Sequence, residues 1–439
     1  MVLPTIVLDN GASTVKAGLA GSPDDQLQLI PNAVIRSKSD KITYFGHEFD
    51  RCKDYSSLHY RFPFEKGYLI DWDAQKAVWD GIFSDEVLGV DTTNSSLLIT
   101  EPYFNLPNIQ EIYDQFVFEE YEFQSYYRCT PASLVPYGTL FQGAPGPECM
   151  LLVDSGFSFT HVIPILNRRI VWSAVKRLDV GGKLLTNQLK ELVSFRQWNM
   201  MDETYIMNHV KESCCFASLD FRMDLETCRL DAQSNTIVQE YILPDLTKAK
   251  KGRIREPSDT LNSYDQVLVM NSERFTVPEI IFRPDDIGLD QMGLAGAVAL
   301  SIGLLSEELQ GLFWANIGLI GGNTKFPNFR QRLLNELRSL APVDREVTIY
   351  ESVEPITEAY RAALSFASQP EFTQCMVTRS EYAEFGSNAS RRKFCDWSTK
   401  GTEKDTAEAG KSRQREEEPS SRLARTRSKT AGSLSSKRR

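Results

Sequence analysis

The sequence predicts an α/β fold, and three observations carry that expectation. The first is a pair of look-alike segments about 145 positions apart, Thr5-Ile6-Val7-Leu8-Asp9-Asn10-Gly11 and Met150-Leu151-Leu152-Val153-Asp154-Ser155-Gly156. Each is an apolar, β-like run that stops at Asp, a small polar residue and Gly. The second is a set of stretches with helical periodicity, separated by further apolar runs. The third is bulk composition: 439 residues, 41% hydrophobic and 25% charged, which suits a water-soluble protein of two or more domains with a large core.

The elements follow in chain order. A buried strand feeding a Gly turn lets backbone N–H groups approach an anion closely, and an Asp at the strand end can hold a divalent cation directly or through water. Two such hairpins facing each other would grip a phosphate tail from both sides. Between them, Asp71 to Leu88 puts Val78, Trp79, Ile82, Phe83 and Val87 on one helical stripe. Past the second hairpin, Lys183 to Val193 repeats the pattern with Leu184, Leu185, Leu189, Leu192 and Val193. Asp202 is placed to cap a helix running to Leu219 through Ile206, Val210, Cys214 and Ala217. Asp231 to Asp285 differs: a basic loop (Lys248 to Arg253) is followed by Val267-Leu268-Val269-Met270, Phe275-Thr276-Val277-Pro278 and Ile280-Ile281-Phe282. It reads as a mobile loop and a small β-rich portion, and loops of this length often mediate binding. Met292 to Leu305 is apolar and rich in Gly and Ala, but falls short of the ~18 residues a membrane span needs, so it is expected to be a packed helix and loop. Leu319-Ile320-Gly321-Gly322-Asn323-Thr324 is a strand ending in a Gly pair. Such a pair lets a flat ring or a phosphate lie on the backbone, and is equally an ordinary strand-to-helix junction. A last helix after Pro327 is expected to bury Phe329, Leu333, Leu337 and Leu340.

Charge and cysteine usage bound the partners. From Asp396 onward there are 12 basic and 7 acidic residues, so the remainder carries −15 of the total −10. The acidic body does not attract nucleic acid. The tail 396–439 is almost without large apolar residues and is expected to be disordered. Its end, 419–439, has seven Lys or Arg and no acid, which suits an import signal, a DNA-contacting arm or a plain solvated tail. None of the eight cysteines forms a Cys-x-x-Cys pair, and the four histidines are scattered. Reduced thiols in cytosol or nucleus are expected, without a zinc site or nucleophile triad. Neither a basic-plus-apolar leader nor membrane association is expected.

Taken in order, these pieces resemble the actin family from Thr5 to Cys395. Asp9-Asn10-Gly11 through Lys16-Ala17-Gly18 looks like the first phosphate hairpin, and Asp154-Ser155-Gly156 with Thr160-His161 like the second. Phe62-Pro63-Phe64-Glu65-Lys66-Gly67 with Asp71-Trp72-Asp73, and Leu98-Ile99-Thr100-Glu101-Pro102, resemble further family segments. Arg177 to Gly182 is similar to the strand and turn that close the cleft, while Lys211-Glu212 and Gly321-Gly322-Asn323 fall where the family contacts adenosine. The resemblance implies two RNase H-like α/β halves around a cleft holding ATP and Mg²⁺. The cofactor would be held by Asp9, Asn10, Gly11, Lys16, Asp154, Ser155, Gly156, Gly181, Gly182, Lys211, Glu212, Gly321, Gly322 and Asn323, and the metal by Asp9 and Asp154 through water. It also implies boundaries: 1–140 as the first half, 141–375 as the second with an insertion at about 231–285, and 376–395 returning to the first.

The departures from the family point away from catalysis. Phe157-Ser158 stands where actin has Asp-Gly, removing a carboxylate near the metal and adding bulk at the phosphate. Ala12-Ser13 replaces Ser-Gly, losing a hydroxyl donor. Pro131 stands where actin has the Gln that orients the attacking water, although His161 is kept. Phosphoryl transfer depends on positioning and charge stabilisation, so little or no hydrolysis is expected. Between Ile35 and Tyr44 lies only a short polar loop, 36–43, where actin carries a longer loop that inserts into the next subunit, so no homopolymer is expected. Within the family the likeness is to nuclear actin-related proteins. That implies a nuclear scaffold subunit of a complex that exchanges the standard histone for the Z-type variant. The implied partners are the remodeller ATPase subunit and a small partner subunit, with the nucleosome reached indirectly and DNA through 419–439. The competing expectations are an active ATPase of the sugar-kinase and chaperone type, and a cytoskeletal relative.

Overall fold

A computed structural model describes residues 3–21, 26–38, 41–52, 55, 58–141, 146–230, 234–245, 251–262 and 264–394. The tail 395–439 and Lys248 to Lys250 lie outside the described residues, so the expectations made for them find no test there. Two six-stranded sheets organise the rest, and both are built the same way. In the first, strands Thr5–Asn10 and Thr14–Leu19 form an antiparallel hairpin, and Thr5–Asn10 pairs in parallel with Ser96–Thr100. In the second, Cys149–Ser155 and Thr160–Leu166 form the hairpin, and Cys149–Ser155 pairs in parallel with Ile317–Ile320. The sequence duplication is therefore a duplication of topology.

Helices cover both sheets, as the apolar runs require, because strands buried on two faces cannot alternate with polar residues. Trp72–Phe83 packs Val78, Trp79 and Ile82 against Ile6, Leu8 and Ile99. Glu358–Ala367, far along the chain, covers the opposite face through Tyr360, Ala362, Ala363 and Phe366. Gly18 has no Cβ because one would stand 2.0 Å from the Tyr360 hydroxyl. Val377–Thr378 closes the edge of the first sheet beside Ser125–Cys129. On the second sheet, Gly182–Arg196, Thr204–Cys214, Leu294–Gly303 and Phe329–Leu340 share one large core.

Several sequence expectations change here. The first helix ends at Phe83, so Val87 packs from a turn rather than from the stripe. The helix expected from Asp202 to Leu219 spans Thr204–Cys214, and its N-cap residue is Glu203. It stops because Cys215 turns extended and the next amides bond elsewhere, Phe216 to the Arg274 carbonyl and Ala217 to that of Pro327. In the insertion, the expected β-rich portion is divided. Gln239–Ile242, Arg253–Ile254 and Val267–Met270 form a three-stranded sheet, but Glu273–Phe282 is a helix. That helix is buried almost all round, so it shows no polar face to betray its period. Its acids are matched: Glu279 by Arg332 at 2.6 Å and Glu273 by Arg196 at 2.8 Å. In the helix Phe329–Leu340, Leu340 is half exposed, and Arg332 is buried instead. Of the short 36–43 segment, Arg36 and Ser37 end strand Val34–Ser37 and Thr43 opens Thr43–Phe45, two antiparallel strands of an outer three-stranded sheet completed by Leu58–Arg61; residues 39–40 lie outside the described residues. Among the described residues no helix is long and apolar enough to cross a membrane.

Candidate functional site

The two hairpins open onto one cavity of about 1110 Å³. Its lining includes Asp9, Asn10, Gly11, Lys16, Asp154, Gly156, Gly182, Lys211, Glu212, Gly321, Gly322 and Asn323, drawn from both sheets. Of the predicted contact residues, Ser155 and Gly181 do not line it. Ser155 is fully buried behind the wall, its hydroxyl sharing a hydrogen bond with Thr160 and accepting from Asn323. Gly181 lets the chain pass so close to the second hairpin that a Cβ would stand 2.5 Å from the Phe157 carbonyl oxygen. Asn10 reaches the wall, but its side chain turns into the core, toward Gln75, Tyr113 and Trp79.

In the first hairpin, register places Asp9 opposite Lys16, and the two form an ion pair at 3.1 Å. Thr100 donates to the other Asp9 oxygen at 2.8 Å, so the carboxylate is fixed before any ligand arrives. Asn32 braces the turn by donating to the Gly11 carbonyl, and its own amide N–H donates to that of Ser13. Ser13 lines the cavity, so a hydroxyl-bearing residue remains at this turn, one position later than the family pattern.

In the second hairpin Asp154 faces His161 across the register. Tyr103 donates to Asp154 Oδ2 at 2.7 Å, whereas Oδ1 takes no hydrogen bond among the described residues. Burial, reinforced by Asp9, pushes the Asp154 carboxyl up to about 6, against the Tyr103 hydrogen bond and the charge of Lys16. Burial and then Arg177 push His161 down to about 3, so its imidazole is neutral. Phe157 lines the cavity, and its ring lies 5.6 Å from that of Phe62, which follows strand Leu58–Arg61 of the outer sheet. Pro131 opens the Pro131–Leu134 helix at a position where a missing N–H costs nothing, and it offers no side-chain amide to the cavity.

The far end is made by two helices and the Gly pair. Lys211 is buried, and its ammonium donates to the Gly182 carbonyl, Thr186 Oγ1 and Asn208 Oδ1 at 3.1, 2.9 and 2.9 Å. Burial pushes its pKa down. Asn208 also donates to Glu212 at 2.7 Å, which orients that carboxylate. Gly321 has φ of +92°, and a Cβ there would stand 2.3 Å from the Ser155 carbonyl oxygen. Asn323 ties this loop to the second hairpin through the Gly156 carbonyl at 2.8 Å. Sequence reasoning missed Thr186, Asn208 and Tyr103. The first two were open to detection, since Asn208 precedes Lys211 by three residues on one helix face. Tyr103 follows the Thr100-Glu101-Pro102 segment, but nothing in its spacing announced a contact with Asp154.

These residues fit a nucleotide with Mg²⁺. A buried ammonium held only by neutral oxygens stands ready for an anionic or strongly polar group. Two carboxylates, with no cluster of three or more His, Cys, Asp or Glu among the described residues, match Mg²⁺, which takes one or two carboxylates and completes its shell from phosphate and water. Asp9 and Asp154 would hold the ion and Lys16 would meet phosphate.

Residues 2–395 match the family profile described as Actin. "Actin-like protein ARP6" of Cryptococcus neoformans is 48% identical over 414 residues, covering 89% of this chain and 84% of its own. "Actin-related protein 6" of Drosophila melanogaster is 37% identical over 393 residues, covering 88% and 98%. The Arabidopsis thaliana protein of that same name is 37% identical over 427 residues, covering 89% and 99%.

Proposed function

The chain belongs to the actin family, and from that premise we propose that it is a non-catalytic, nucleotide-holding scaffold of a nuclear chromatin-remodelling complex. The complex would exchange the standard histone for the Z-type variant. In this reading ATP with Mg²⁺ cements the two halves together and is hydrolysed little or not at all. The supporting observation is a split within one cavity: Asp9, Lys16, Asp154, Lys211 and Gly321 line it with charges and a close backbone approach of the kind a nucleotide uses, whereas Pro131 and Phe157 offer no polar side chain to a water attacking phosphate. Holding and cutting are separable because binding uses ground-state contacts, and acceleration needs contacts made only in the transition state. The likeness to proteins called actin-related protein 6 supports the nuclear scaffold half of the reading.

The insertion is our proposed contact for the remodeller ATPase subunit and its small partner. Its sheet stands beside Thr204–Cys214 and is not needed to build either hairpin. Replacing residues 247–259 by a Gly-Ser linker should abolish co-purification with the remodeller from nuclei; full recovery would remove the insertion from the account. Mass identification of partners and bound nucleotide in the same preparation tests the rest. The basic end 419–439 is proposed as an import signal or DNA arm. A chain ending at residue 395 should bind nucleosomes more weakly, with a shallower salt dependence.

A further inference from the structure

Tyr103 occupies a corner of the cavity that neither hairpin explains. It follows strand Ser96–Thr100 of the first sheet, and it is buried. Its hydroxyl donates to Asp154 Oδ2 at 2.7 Å and accepts from the Ala132 amide at 3.1 Å. Its ring centroid lies 4.6 Å from that of His161. One side chain thus touches the carboxylate of the second hairpin, the first open amide of the Pro131–Leu134 helix and the retained histidine. The polarity of the chain of bonds is fixed: an amide N–H only donates, an ionised carboxylate only accepts, and the phenol does one of each. The Ala132 amide would otherwise lack a partner, since the N–H groups of a first turn find none within their own helix.

We infer that Tyr103 is a positioning residue for the cation that accompanies the nucleotide: by engaging Oδ2 it leaves Oδ1 as the Asp154 oxygen that would be open to the metal, and it fills the corner where an attacking water would have to be held. The inference rests on the nucleotide-holding reading and deepens it. Tyr103 follows a strand of the first sheet and Asp154 lies on a strand of the second, so the bond also joins the two sheets beside the cavity. Partners that orient a metal-side carboxylate typically change metal affinity by about 10-fold or more when removed.

The test compares the full-length protein with Tyr103→Phe, which keeps the ring and removes only the hydroxyl. Affinity for a fluorescent ATP analogue is measured at pH 7.5, first in EDTA and then across a Mg²⁺ titration. The expected result is similar affinity in EDTA, within about 2-fold, and a Mg²⁺ midpoint raised about 10-fold in Tyr103→Phe. A double-mutant cycle with Asp154→Asn separates orientation from packing. In the Asp154→Asn background, Tyr103→Phe should change nothing further. An unchanged Mg²⁺ midpoint, or an equal effect of Tyr103→Phe with and without Asp154, overturns the inference and leaves the scaffold reading standing. A wild-type protein that binds no nucleotide under either condition overturns both.

Discussion

At the residue scale, the site is decided by where single polar atoms are left free. Asp154 is the clearest case, because burial makes its negative charge costly until a cation arrives. For an acid whose folded pKa is raised, stability is unaffected below the unfolded value near 4, falls as pH rises toward the folded value, and carries the full cost above it. With the carboxyl pushed up to about 6, Asp154→Asn should stabilise the ligand-free protein above pH 6. The gain should vanish below about pH 4. Urea midpoints measured from pH 4.5 to 8 check the sign, and a variant less stable at pH 8 contradicts it. Gly321 is the second case. Its φ of +92° and the 2.3 Å approach to the Ser155 carbonyl oxygen leave no room for a side chain. Gly321→Ala should therefore cost at least about 2 kcal/mol, read from the same midpoints.

At the scale of elements, the hairpins and amphipathic helices were legible because their cause is local. The Asp-x-Gly ends gave both hairpins to within a residue or two, and the stripe from Val78 to Phe83 gave the first long helix. That helix begins at an ordinary cap: Asp71 accepts from the Ala74 amide at 3.1 Å and pairs with Arg61 at 2.5 Å. Asp71→Ala should cost about 1 kcal/mol, mostly through the cap because the exposed ion pair contributes little. An unaltered unfolding midpoint would count against this. The errors had tertiary causes. Phe275 to Phe282 is β-branched and aromatic enough to read as strand, but burial on all sides turns it into a helix whose period is invisible. The helix ending at Cys214 was overdrawn because the carbonyls of Arg274 and Pro327 capture the amides that would have continued it. Of the cavity lining, Asp9, Lys16, Asp154, Lys211 and the Gly321-Gly322 pair were legible from motif order, although the predicted Gly181 lies behind it. Tyr103 was not, since its contact with Asp154 joins residues beside two different sheets, 51 positions apart in sequence.

At the scale of the whole molecule, the substitution that removes a carboxylate from the second hairpin also supplies a bridge across the cavity mouth. Phe157 meets Phe62 beside the outer sheet, and Tyr205 packs against Phe49 and Tyr55 of the same region, with ring centroids 5.3 and 6.0 Å apart. All of these rings but Tyr55 line the cavity, so they are placed to slow the exit of a bound ligand. Two aromatic pairs are worth about 1–3 kcal/mol together, so Tyr205→Ala should release a bound fluorescent nucleotide about 10-fold faster. Release at the wild-type rate would show that the aromatic bridge carries no closing energy. The account as a whole rests on the separation of holding from cutting, and the most direct measurement is the fate of ATP on the pure protein. Full-length protein loaded with ATP and Mg²⁺ should still carry intact ATP after many hours, read by chromatography of the extracted nucleotide. Conversion to ADP within minutes, abolished by Asp154→Asn, would contradict it.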